Sequence, residues 1–213
     1  GINNVAMGGY TFYQNTTGSY NVALGKGAMF TNTQGDYNTA VGVSALESNL
    51  TTDKNVAVGW RALKVNVADA NTAVGYQAMS LNTSGVRNTA LGFDTLKTIT
   101  SGGSCTAVGF ESMKVSTGGY CTAVGYATLW AQTTGSENSA FGTQCLEANT
   151  TGTYNLGCGQ YALRNNTVGH KNTAVGSNSL YTNTEGVENV AVGYEALKGN
   201  TSGDHNIAIG YQA

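Results

Sequence analysis

One interval governs this chain. An Asn or Cys standing four residues before a Gly opens thirteen successive copies of one motif, spaced 17 residues apart ten times and 16 residues apart twice. The openings are Asn4, Asn21, Asn38, Asn55, Asn71, Asn88, Cys105, Cys121, Asn138, Asn155, Asn172, Asn189 and Asn206. The consensus reads N-T-A-V-G-Y-x-A-L-x-x-N-T-T-G-x-x, and its positions are numbered below as columns counted from the Asn. One unit this short cannot bury an apolar face, whereas stacked copies can.

The columns differ sharply in character. Column five is Gly in every copy: Gly8, Gly25, Gly42, Gly59, Gly75, Gly92, Gly109, Gly125, Gly142, Gly159, Gly176, Gly193 and Gly210. Column three is Ala except at Gly157, column four is apolar from Met7 to Ile209, and column nine is apolar from Phe12 to Leu197. Charges avoid columns one to five, eight, nine, twelve and thirteen. Such segregation requires an inside and an outside with a fixed period, which no disordered linker would keep.

The glycines leave too little room for a helix, and Asn, Thr and Gly are poor helix interiors. T-A-V and Y-x-A-L suit short strands, Gly at column five permits a bend, and N-T-T-G is turn chemistry with Gly supplying positive φ. The expectation is strand, bend, strand, turn. Stacked, these units make an all-β parallel β-solenoid, or β-roll, of about 12.5 coils over residues 1–213. With strands about 4.8 Å apart the stack is about 58 Å long. The chain reads as one continuous array cut from a longer fibre. The absence of proline fits, because proline would remove a ladder hydrogen bond from nearly any coil position.

Recurrence in register stacks like on like. Column one forms an Asn ladder in all copies but those opened by Cys105 and Cys121, and column twelve forms a second, from Asn15 to Asn200. Stacked amides bond along the axis as in cross-β ladders. Columns four and nine hold the large apolar side chains and are expected to form the core. Set against backbone ordering at about 1–2 kcal/mol per residue, that core is thin. Several chains are therefore expected to pack side by side, with the small residues of columns three and eight, and the aromatics of column six such as Trp60, Tyr76 and Phe93, facing neighbours.

The blocks Asn189–Gly193 (N-V-A-V-G) and Asn206–Gly210 (N-I-A-I-G) resemble the N-S-V-A-I-G repeats of the YadA-like head of trimeric autotransporter adhesins. Asn71–Met79 (N-T-A-V-G-Y-Q-A-M) is still more similar to the N-T-A-L-G-Y-x-A-L-x-x-N-T-T-G arrays of tail-fibre-like proteins of phages and other viruses and of bacterial surface proteins. The resemblance covers essentially the whole chain. It implies a left-handed β-roll, a homotrimer wound into a fibre, and attachment. The adhesin-head coil is shorter, about fourteen residues, and its Asn stands one residue further from the Gly.

No catalytic constellation stands out, and no cofactor is expected. His170 and His205 lie two coils apart with no acidic or Cys partner at metal-ligand spacing. The net charge of −2 leaves no footprint for nucleic acid, and no apolar run reaches the length of a membrane span. Stacking brings Cys105 and Cys121 together; parallel side chains are poor disulfide geometry, so free thiols are favoured over a bridge. Cys145 and Cys158 read as small buried hydrophobes. Asp94–Lys97, Glu111–Lys114 and Glu195–Lys198 read as pairs on a solvated face. The column-ten aromatics Tyr13, Phe30, Trp130 and Tyr181 are candidates for glycan or receptor contact, the alternative being packing against a neighbouring chain. The N-x-[ST] acceptors Asn15, Asn49, Asn82, Asn149 and Asn200 come from the repeat itself and are unavailable if column twelve points inward; Asn165 is the sixth.

The expected function is a structural and adhesive surface fibre, on a virion or a cell surface and so extracellular. An ice-binding solenoid is the alternative, from Thr39, Thr72, Thr89, Thr106, Thr122 and Thr173 in column two. A β-helix glycan-active enzyme ranks last, because such enzymes gather carboxylates on one face and here they are scattered.

Overall fold

A computed structural model describes residues 1–213. The chain has no helix and falls into two compact units, Gly1–Ser104 and Cys105–Ala213. Each is a parallel β-solenoid with one repeat per turn; the two together make about twelve turns.

In the first unit the strands Val5–Met7, Val22–Leu24, Thr39–Val41, Val56–Val58, Thr72–Val74 and Thr89–Leu91 form a parallel sheet. Its register sets each residue on its counterpart one repeat later, as in Ala23↔Ala40 and Val58↔Val74. A shorter parallel ladder joins Val65–Asn66, Leu81–Asn82 and Thr98–Ile99. The second unit repeats the main sheet with Thr106–Val108, Thr122–Val124, Ser139–Phe141, Leu156–Cys158, Thr173–Val175, Val190–Val192 and Ile207–Ile209. The 16-residue coils keep this register. Their deletion falls between columns twelve and fifteen, since Asn66 bonds Ala68 O and Ser116 bonds Gly118 O two residues on, where other coils bond three residues on. Gly118, and not Gly119, therefore occupies column fifteen.

The Y-x-A-L piece is not a strand. Columns seven, nine and seventeen adopt left-handed backbone in coil after coil, for example Arg61 (φ 55), Leu63 (φ 47) and Lys54 (φ 59). Each such residue costs about 1–2 kcal/mol outside glycine. The hydrogen bonds made there are of similar size: Leu63 N donates to Ala78 O in the next coil, and Arg61 N to Val43 O in the previous one. Turns as well as strands are thus stitched from coil to coil, so the exclusion of proline extends beyond the strands.

The core differs from the expectation in one respect. Columns three, eight and nine point inward, so that Ala57, Ala62 and Leu63 are fully buried. Column four points outward: Met7, Leu91, Phe141 and Ile209 are exposed. A three-residue strand alternates faces, so with Ala of column three inside, columns two and four must both face out. Columns three and eight are thus core and not neighbour-facing surface.

The two glycine columns have different reasons. At column five Gly75 has φ +138, and a Cβ there would lie 2.1 Å from the Gly92 carbonyl oxygen. At column fifteen no positive φ is needed. A Cβ on Gly169 would sit 2.4 Å from Asn166 Oδ1 and 2.6 Å from Gly186 O, so a side chain there would push its neighbours aside, although two coils carry Thr52 and Ala68 in this column.

Both Asn columns are buried, and they converge. Asn172 Nδ2 donates to Gly186 O at 2.7 Å, and Asn183 Nδ2 donates to the same oxygen at 3.2 Å. In column twelve the amides bond one another, Asn183 Nδ2 to Asn166 Oδ1 at 2.8 Å. In column one the main acceptor role is different: Asn155 Oδ1 takes the backbone N–H of Asn172 at 3.0 Å. Carbonyls such as Gly186 O thus accept from both Asn columns, which lowers the cost of a polar interior.

Candidate functional site

In each unit the outward face of the main sheet is left exposed or half-buried. In the first unit it carries Val22 with Leu24, Val56 with Val58, and Thr89 with Leu91; in the second it carries Ser139 with Phe141, Leu156 with Cys158, and Val190 with Val192. The side chains are apolar, Thr or Ser and in register, with no charge among them. Cys158 belongs to this face and is exposed, not a buried hydrophobe, because column four faces out.

A second outward line is aromatic. Trp60, Tyr76 and Phe93 of column six stack face to face at 4.6 and 4.8 Å between centroids, and Tyr194 stacks on Tyr211 at 5.4 Å. Arg61 lies 4.2 Å over the Trp60 ring. In-register repetition sets rings against rings along the stack, and most of the ring faces are taken by their neighbours.

The four column-ten aromatics do not form one cluster. In the first unit Tyr13 and Phe30 stack at 5.4 Å and 6°, with the Tyr10 ring edge-on to both. In the second, the Trp130 indole N–H donates to Glu111 Oε2 at 3.3 Å, and the Tyr181 hydroxyl accepts from Arg164 Nη1 at 3.1 Å. Tyr13 and Trp130 are exposed, Phe30 and Tyr181 half-buried. Beside Phe30 lies a groove of about 320 Å³.

The charge pairs form, Lys97–Asp94 at 2.8 Å, Lys114–Glu111 at 2.6 Å and Lys198–Glu195 at 2.6 Å, but the Asp94 carboxyl is buried instead of lying on a solvated face. The chain of column seventeen is new. Lys171 bonds Glu188 Oε1 at 2.9 Å, and His205 Nε2 lies 3.0 Å from Glu188 Oε2. The Lys171 contact, with His205 adding, holds the Glu188 carboxyl below its usual range. A partner 17 residues away is invisible to ordinary short-range spacing rules. No group of three or more His, Cys, Asp or Glu is placed to hold a metal ion.

Cys105 and Cys121 are buried free thiols. The Cys105 sulfur lies 3.5 Å from Gly118 O, and the Cys121 sulfur accepts from Gln132 Nε2 at 3.1 Å. The contact with Cys105 first, then the Asn138 backbone N–H and the Gln132 amide, hold the Cys121 thiol below its usual range, while contact with Cys121 and burial push Cys105 up. Column twelve changes alongside these cysteines: Ile99, Ser116 and Gln132 stand where other coils carry Asn, and Gln132 Oε1 is buried without a partner. Of the N-x-[ST] acceptors, Asn49, Asn82 and Asn149 are fully buried ladder rungs, and only Asn165 lies outside column twelve. In comparisons with protein-family models, with curated proteins and with solved structures, nothing matches the chain.

Proposed function

We propose that the chain is a segment of a structural and adhesive fibre of a virion or cell surface, extracellular and without a catalytic role. In this reading copies of the chain assemble, three together and with left-handed coils as in the YadA-like head it resembles, by covering the outward columns two and four. The observation that carries the reading is that uncharged face. Contiguous apolar surface beyond a few hundred Å² marks an interaction site on a soluble protein, and the repeat renews this one at every coil. The interior amides and carbonyls bond mainly to one another, so a partner is expected on the outer face and not in the interior. Light scattering on the eluting peak of a sizing column tests the reading. A mass three times the 21.9 kDa of one chain is expected, and a stable monomer would overturn it.

One observation favours a second reading. Thr39, Thr72, Thr106 and Thr122 project outward from the sheet at the strand repeat, the disposition an ice-binding face requires. Val22, Val56, Leu156 and Ile207 interrupt the column. Thermal hysteresis in dilute solution decides, and its absence removes this reading.

A further inference from the structure

We infer that the groove beside Gly27 is a binding subsite for an acidic sugar. The inference rests on the attachment reading above and gives it a place and a ligand class.

Column seven carries a side chain in every other complete coil; at Gly27 it carries none. A Cβ built there meets only Ser44 Oγ, at 3.8 Å. The missing side chain opens a groove of about 320 Å³ lined by Tyr10, Lys26, Phe30, Ser44 and Glu47, among others. That volume is at the small end of ligand pockets, which run about 300–1,000 Å³.

Three other coils pair their charges across columns seven and ten, Asp94–Lys97, Glu111–Lys114 and Glu195–Lys198. Here Gly27 and Phe30 occupy those columns. Lys26 and Glu47 line the groove from column six and from column ten of the next coil, and neither belongs to an ion pair. The aromatic wall is held in place, Phe30 by its stack on Tyr13 and both by the Tyr10 edge.

A pyranose with a carboxylate matches this set. Its C–H face suits the rings, its carboxylate the Lys26 ammonium, and its hydroxyls can donate to Glu47 and exchange hydrogen bonds with Ser44. A purely apolar ligand would leave Lys26 and Glu47 unused.

The test is saturation-transfer NMR on the full chain with N-acetylneuraminic acid, D-glucuronic acid and D-glucose as probes. Gly27→Gln fills the groove at a left-handed backbone that the fold tolerates in the same column, where Gln77 and Gln144 stand at φ 52 and 51. An acidic sugar is expected to bind the native chain, to lose its signal in Gly27→Gln, and to weaken by about tenfold in Lys26→Met. Circular dichroism and light-scattering mass are expected to stay unchanged in both variants. Absence of acidic-sugar binding, undiminished binding to Gly27→Gln, or glucose binding as strongly as the acids would each overturn the assignment. A monomeric native chain that still binds in a Gly27-dependent way would sink the fibre reading and leave the subsite standing.

Discussion

The Cys145 thiol fills the space beside Gly157 where other coils carry an alanine methyl. A Cβ on Gly157 would lie 2.4 Å from Cys145 Sγ. Gly157 is the sole departure in column three, and Cys145 sits in column eight of the preceding coil. The two exceptions compensate each other in volume.

Gly157→Ala alone is therefore expected to destabilise by about 1–3 kcal/mol through overpacking. Cys145→Ala alone leaves a small void costing about 1 kcal/mol. The double variant restores the pairing seen at Ala45 and Ala57 and is expected to be near native, a clear non-additivity in a denaturation cycle. Additive losses would show that the two positions do not share one space.

The glycine columns separate by the same method. Gly75→Ala forces a methyl to 2.1 Å from a carbonyl oxygen at φ +138, and a loss of about 3 kcal/mol or more is expected. Gly27→Ala meets open space but keeps a left-handed backbone at φ +68, and a smaller loss of about 1–2 kcal/mol is expected. Equal effects in thermal melts would contradict this division.

Much of this architecture is legible in the sequence. Period, parallel register, the column-five bend and the buried Asn ladders all follow from column identity, because an in-register stack multiplies each local preference by the number of coils. The orientation of column four is not legible that way. Val and Leu read as core, and only the commitment of Ala to the inside of a three-residue strand turns them outward. The left-handed residues of columns seven, nine and seventeen are hidden for a related reason: Leu, Arg and Tyr carry no signal for that backbone, which the inter-coil hydrogen bonds impose. The groove at Gly27 is a local vacancy, and it becomes visible only once the neighbouring coils are in place.

The amide ladder makes a further prediction. Asn166 Nδ2 donates to Asn149 Oδ1 at 2.8 Å and to Gly169 O at 2.9 Å, and its Oδ1 accepts from Asn183 Nδ2 at 2.8 Å. Asn166→Leu keeps the volume but leaves buried partners unpaired at about 1–3 kcal/mol each. A loss of about 3–5 kcal/mol is expected by chemical denaturation, and a loss below about 1 kcal/mol would show that the ladder is not what holds the interior.

The thiol pair gives a pH signature. In a Cys158→Val variant the exposed thiol is gone, and Cys145 is silent because burial pushes it up to about 12. Ultraviolet thiolate absorbance is then expected to report one group with a midpoint below the ordinary thiol value of 9.0, because the contact with Cys105 first and then the Asn138 N–H and Gln132 lower Cys121. A lowered folded value means that this contribution to stability is present above 9.0 and is lost as pH falls through the lowered Cys121 midpoint. Cys105 acts oppositely: it stays protonated when folded, so it opposes stability once pH exceeds 9.0. A first thiolate midpoint at 9.0 or above would contradict the Cys105–Cys121 contact.

The central claim is that the outward columns two and four are covered by other copies of the chain, and the chain carries its own probe. Cys158 stands on that face between Phe141 and Val175 in register. Treatment with a short bis-maleimide at low protein concentration, read on a denaturing gel, is expected to give a covalent dimer that disappears in Cys158→Val. A Cys158 that is alkylated freely but never cross-links would place the face in solvent and contradict the account.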